Sequence, residues 1–248
     1  MTKRTSKKEI RKQTRMLALI IAVLIVLIAG LVIYQITSER KKDQDEIVIV
    51  LDNAHGGDAS GNQGIISEDE YNEKVIDALA AKLEAHTDYT VVRTHQDGQA
   101  MAVSTRVDVI NSSKADLVLS VRCHDGMSPN FVGTMIFAQP AVSPHHADSV
   151  AFARALAEAF QSKDITCTTG YFYNHPIKVG YFQEHLVPLE DETDYQEETY
   201  DLMKADAPVA IVSQINVNAQ EDVDAWATEE GYEKAADLYY QAIRTMFK

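Results

Sequence analysis

Cysteine is nearly absent from the chain. Cys123 and Cys167 are the only two in 248 residues, too few for a disulfide framework, so an ordinary hydrophobic core must hold the fold. One bridge between them stays open in an oxidising compartment; two buried thiols is the simpler reading. Proline and glycine are sparse, at 6 and 11, which excludes collagen-like and low-complexity organisation. There is no internal repeat. Positive charge is scarce beyond the N-terminus. Residues 1–42 hold ten Lys/Arg and two Asp/Glu, and the whole chain holds 23 and 37, which leaves 13 and 35 for residues 43–248. A domain this acidic repels phosphate backbones, so nucleic acid is excluded as a partner. A polyanionic wall polymer gains nothing from net charge either, and binding to one must rest on local contacts.

The one long hydrophobic run is Met16 to Tyr34. About 20 such residues span a bilayer core. Lys3, Arg4, Lys7, Lys8, Arg11, Lys12 and Arg15 precede it, against Arg40, Lys41 and Lys42 after it. The larger basic excess predicts a cytoplasmic N-terminus. A cleaved signal peptide would have a shorter apolar region ending in a small-x-small site, whereas this run exits through Tyr34, Gln35, Ile36 and Thr37. The expected organisation is a basic cytoplasmic tail over 1–15, a transmembrane helix over 16–36, a polar linker over 37–46 and one extracytoplasmic domain over 47–248. That makes the protein single-pass in the cell membrane.

Within the domain, short apolar runs at Ile47–Leu51, Tyr89–Thr94, Leu117–Val121, Thr134–Ala138 and Val209–Val212 predict strands. Tyr71, Val75, Ile76, Leu79 and Leu83 form a helical stripe over about Asp69–Ala85. Further helices are expected over Val103–Asn111, Ser149–Gln161 and Glu229–Phe247. Thr166–Thr199 reads as long loops, an insertion rich in aromatics and acids. Alternation of strands and helices predicts an α/β fold with a mostly parallel central sheet flanked by helices, preceded by the transmembrane helix. Functional groups then belong at strand ends and in the loops that follow.

One such loop holds Asp52, Asn53, Ala54, His55, Gly56 and Gly57. A histidine past a buried strand, with glycines that let the backbone pass close to an ion, is a plausible metal position. Thirteen residues on, Glu68 stands before the amphipathic helix. Imidazole and carboxylate both suit zinc. A loop histidine and a carboxylate favouring a helix dipole account for the same residues. His145, His146 and His175 are not spaced as ligands. The acids Glu190, Asp191, Glu192, Asp194, Glu197 and Glu198 lack EF-hand order and read as a solvated face. Tyr171, Phe172, Tyr173, Tyr181 and Phe182 stack on a sugar or a partner in one reading, and pack their own loop in another.

From Ile47 onward the chain resembles the zinc-dependent N-acetylmuramoyl-L-alanine amidases. Ile47–Gly64 looks like that family's opening strand and His-Gly-Gly loop. Gly64–Leu83, with Ser67, Glu68, Tyr71 and Asn72, looks like its glutamate-bearing helix. Arg106, Asn111 and Ala115–Ser120 look like the approach to its Ser-Ile-His strand, and Pro208–Asp222 matches the place of its closing Val-Glu strand. The resemblance implies one zinc held by His, Glu and His, a water in the fourth position, and a second glutamate that moves the proton. Carried over by position, His55 and Glu68 match the first two ligands.

Two departures bear on that chemistry. Arg122 stands where the second His is expected, and the base position falls on Ser213, or on Gln214 if the register slips by one. A guanidinium has no lone pair to donate. At about 4 Å from a divalent ion and an effective dielectric near 20 it costs roughly 8 kcal/mol. Arg122 is therefore expected to pair with Glu68 as a cation in the metal's place. His124, on the same strand face, is the alternative third ligand. Ala54 replaces a glycine, and His95 an arginine. The resemblance thus implies either a catalytically impaired, membrane-anchored scaffold that binds peptidoglycan, its stem peptide or a protein partner, or an active zinc amidase using His55, Glu68 and His124. An unrelated α/β ectodomain is the third reading.

Overall fold

The computed structural model describes residues 16, 21, 24, 25, 27–30, 46–58, 60–125, 132–163, 165, 167–174, 178–181 and 201–248. Two compact units divide at Glu46. In the first, the described residues between 16 and 30 are helical and exposed, and Glu46 is exposed outside any helix or strand. Among the described residues no helix is long and apolar enough to cross a membrane. Most of the apolar run, with the predicted tail and linker, lies outside the described residues.

Among the described residues of the second unit, Ile47–Lys248, there are seven strands: β1 (Ile47–Asp52), β2 (Tyr89–Arg93), β3 (Leu117–His124), β4 (Thr134–Ala138), β5 (Cys167–Asn174), β6 (Lys178–Tyr181) and β7 (Val209–Asn216). Its helices are α1 (Glu68–Glu84), α2 (Val103–Ser113), α3 (His146–Gln161), α4 (Gln220–Trp226) and α5 (Glu229–Met246). The strands form one sheet in the order β2-β1-β3-β7-β4-β5-β6.

The sheet is mixed but mostly parallel, with four of its six pairings parallel and two antiparallel. β2, β1, β3 and β7 run parallel, but β4 runs against β7 and β6 against β5. Connection length explains both reversals. Only nine residues separate β3 from β4, and three separate β5 from β6, and a parallel crossover needs a dozen or more. The expectation that is corrected is the insertion read as loops. Its first part supplies β5 and β6, built on threonine and aromatic residues that suit a pleated surface. The acidic run, His175 and Phe182 lie outside the described residues.

The sheet buries both faces. Ile49, Leu51, Leu119, Val121 and Val212 pack with α1, α3 and α5 on one side; Val50, Val118, Val209 and Ile211 pack with Ile110 of α2, Leu202 and Met203 on the other. The alternation follows the two-residue period of a strand. Helix α1 starts with Glu68, Asp69 and Glu70, charges that suit its dipole. Helix α5 is capped by the Thr228 side chain, which accepts from Gly231 N at 3.0 Å, a bond typically worth about 1 kcal/mol.

A buried ion pair ties the end of β1 to α2. Asp52 is fully buried, and Arg106 Nη1 reaches both its oxygens at 2.9 Å. Ser120 Oγ donates to it at 2.6 Å and Thr94 Oγ1 at 2.8 Å. Burial pushes this carboxyl up, but Arg106, Arg122 and the two hydroxyls outweigh it and hold it below the usual aspartate range. A depressed folded value means stability that is present above the ordinary aspartate pKa of about 3.9 and lost as pH falls through the folded one. Urea titrations of Asp52→Ala should show a loss of about 3–5 kcal/mol at neutral pH, because Arg106 is left buried and unmatched. The difference from wild type should shrink in acid.

Candidate active site

The loop after β1 turns sharply before it reaches the first site residue. His55 N bonds Asn53 O at 2.7 Å across Ala54, whose φ is +64°. An alanine in the left-handed region costs about 1 kcal/mol relative to an unstrained residue, so the turn keeps a shape glycine would adopt more easily. Asn72 Nδ2 of α1 holds Asn53 O at 2.9 Å. His95 Nε2 lies 3.4 Å from His55 O, and His95 Nδ1 lies 3.0 Å from Thr94 Oγ1. The buried ion pair is thereby linked through Thr94 and His95 to the backbone of His55.

His55 and Glu68 meet, with Nε2 3.6 Å from Oε2. Glu68 is only 1% exposed. Its Oε1 accepts from Cys123 N at 2.8 Å, and its Oε2 accepts from Asn62 N at 2.9 Å and Asn62 Nδ2 at 2.8 Å. The loop also caps α1. Asn62 O accepts from Glu68 N and Ser60 O from Asp69 N, while the Ser67 side chain makes no cap bond. Gly61, at φ +70°, lies against the pair so closely that a Cβ there would sit 2.6 Å from Glu68 Oε2 and 2.7 Å from His55 Cδ2.

A family model for N-acetylmuramoyl-L-alanine amidase matches residues 49–245. The chain belongs to the N-acetylmuramoyl-L-alanine amidase family. Solved amidases share its fold. The catalytic domain of CwlV from Bacillus (Paenibacillus) polymyxa var. colistinus superposes with a TM-score of 0.64 at 18% identity, covering 81% of this chain and 98% of that one. An amidase from Clostridium difficile 630 gives 0.66 at 14% identity, over 82% and 97%. CwlD from Clostridioides difficile, in complex with the GerS lipoprotein, gives 0.64 at 17% identity, over 82% and 98%. No curated protein matches the sequence.

Within this amidase fold the predicted site residues separate into groups. His55 and Glu68 come together. His124 does not join them: its Nε2 faces Gly133 O at 3.1 Å, and a carbonyl only accepts, so that nitrogen carries the proton. Burial lowers the His124 pKa, which keeps the ring neutral. Among the described residues no three His, Cys, Asp or Glu side chains converge as a metal group. Asp222 supports this corner, its Oδ2 accepting from Asn216 N at 2.8 Å and Gly133 N at 3.2 Å.

Arg122 projects on the face shared with Asp52 and Ser120, and its charge is felt at Asp52. The described contacts of Glu68 are with Asn62, Cys123 and His55, and none is with Arg122. The register across β3 and β7 sets Arg122 beside Ser213. Gln214 turns to the opposite face and accepts from Tyr239 Oη of α5. Ser213 is thus the residue on Arg122's side of the sheet. Cys123 has a free thiol, donating to Asn72 Oδ1 at 3.6 Å, so the bridge to Cys167 is not formed. His145 pairs with Asp206 at 2.9 Å and His146 meets Gln139 O at 2.7 Å; both are structural contacts.

Sequence reasoning missed Asn62 and singled out no acid beside His124. Neither Asn62 nor Asp222 has a periodic or spacing signal, since each matters only once the chain has folded back on the strand ends. Gly61 and Gly98 offer a controlled comparison. Both have positive φ, +70° and +69°, but a Cβ at Gly98 meets nothing within 4 Å. Gly98→Ala should cost about 1–2 kcal/mol from backbone strain alone. Gly61→Ala should cost about 1–3 kcal/mol more, measured by chemical denaturation of both variants.

Proposed function

We propose that the protein is a membrane-anchored member of the amidase family whose domain stands outside the cytoplasm and binds peptidoglycan, its stem peptide or a protein partner, with amide hydrolysis impaired. One observation carries the reading. At the ends of β3 and β7, where the family resemblance calls for an imidazole ligand and a carboxylate base, Arg122 and Ser213 stand side by side in register. Neither can take the expected role. Arginine stays protonated and donates no electron pair. A serine hydroxyl without an activating partner is a poor proton acceptor at neutral pH.

The donor chemistry points the same way. A hydrolytic zinc needs three protein ligands and an open position for water. His55 and Glu68 supply two, and His124 is committed to the carbonyl of Gly133. The residues present do not fit the group, and no reaction step is drawn through it. The basic tail and apolar run of residues 1–36 support the anchor and the orientation. That CwlD is found in complex with a lipoprotein supports a reading in which a surface of this fold serves a protein partner.

The test uses the purified full chain and isolated sacculi. It should co-sediment with sacculi while releasing no stem peptide above the protein-free control. Sustained release, with turnover abolished by Glu68→Gln, would replace the scaffold reading with an active amidase.

A further inference from the structure

Glu68 is only 1% exposed, and both of its oxygens already have donors. Three N–H groups point at them: Cys123 N at 2.8 Å, Asn62 N at 2.9 Å and Asn62 Nδ2 at 2.8 Å. The bond is returned, since Glu68 N donates to Asn62 O at 2.9 Å. Asn62 Nδ2 also approaches Cys123 O at 3.3 Å. One asparagine therefore clamps the carboxylate, the first turn of α1 and the backbone of β3. Gly61 brings the main chain into contact with His55 and Glu68, leaving no room even for a methyl group.

We propose that Asn62 and the Cys123 amide occupy the electrostatic place of a metal ion, making the His55–Glu68 pair a closed, metal-independent pin between loop, helix and sheet. This rests on the impaired-site reading above and deepens it, from a ligand set that lacks a member to a site that is filled. Convergent N–H dipoles satisfy a buried carboxylate as a cation would. A metal entering here must first displace two hydrogen bonds from Oε2 and the α1 cap with them. In exchange it gains a two-donor site, too few for a stable tetrahedral centre. The cradle is closed by a side chain that can be changed without altering its size. Asn62→Asp removes the Nδ2 donor and sets a third oxygen ligand against His55 and Glu68.

The experiment follows thermal unfolding and zinc content of the full chain in mild detergent. Wild type should keep its Tm within about 1 °C in EDTA and in equimolar zinc, since a ligand that does not bind the native state shifts nothing. Asn62→Asp should unfold about 3–8 °C lower without metal, from the lost donor and the repulsion of two carboxylates, and should regain Tm on adding zinc with about one zinc per chain. Asn62→Ala should show a loss that zinc does not repair. A wild-type Tm that falls in EDTA, a wild-type chain holding one zinc, or Asn62→Ala with wild-type Tm would each overturn the pin. The two readings fail separately. Zinc-free wild type that hydrolyses sacculi defeats the scaffold and leaves the pin standing, while inert wild type carrying stoichiometric zinc does the reverse.

Discussion

A carboxylate taken out of water must be matched in place, and Glu68 is where this domain meets that demand. Its position is fixed by α1, whose first turn it begins, and its oxygens are satisfied by β3 and by the loop after β1. A helix start, the loop just before it and the sequence-distant strand β3 are therefore registered by one side chain. Leaving such an acid unmatched would cost several kcal/mol, a large share of the stability of any domain. The loop is consequently held in one conformation, and the turn at Ala54 and the close approach of Gly61 follow from where Glu68 needs its donors.

Asp52, at the end of β1, meets the same demand differently. There a true cation, Arg106, shares the carboxylate with two hydroxyls. Through Thr94 and His95 that network reaches the carbonyl of His55. One acid is matched by charge and the other by neutral dipoles, and His55 sits between them. On the neighbouring strands β3 and β7, Arg122 and Ser213 stand in register.

Much of this frame was legible in the sequence. The stripe from Tyr71 to Leu83 marked α1, and the apolar runs placed β1, β3, β4 and β7, because burial on one or both faces dictates those patterns. The same reasoning stopped β3 at Val121 and β7 at Val212. Both strands continue to His124 and Asn216 through Arg122, Ser213 and Gln214, buried polar residues of which Gln214 accepts from Tyr239 on α5. Pairwise satisfaction of that kind leaves no period. Helix α4, at seven residues, is too short to show a stripe. The two antiparallel pairings, β4 with β7 and β5 with β6, were not legible because short connections, not composition, decide them. Of the site, His55 and Glu68 were found through local pattern and resemblance. Asn62 was not, since nothing in a Ser-Gly-Asn stretch announces that it will fold back over a helix end.

The thiol of Cys123 follows from the same architecture. Burial raises its pKa well above the ordinary value, and its sulfur is directed inward at Asn72, away from any oxidant or electrophile in the surroundings. It is covered by the strand whose backbone amide holds Glu68. An alkylating reagent can reach it only when that strand parts from α1, so the sulfur is a native reporter of breathing at this joint, needing no engineered label.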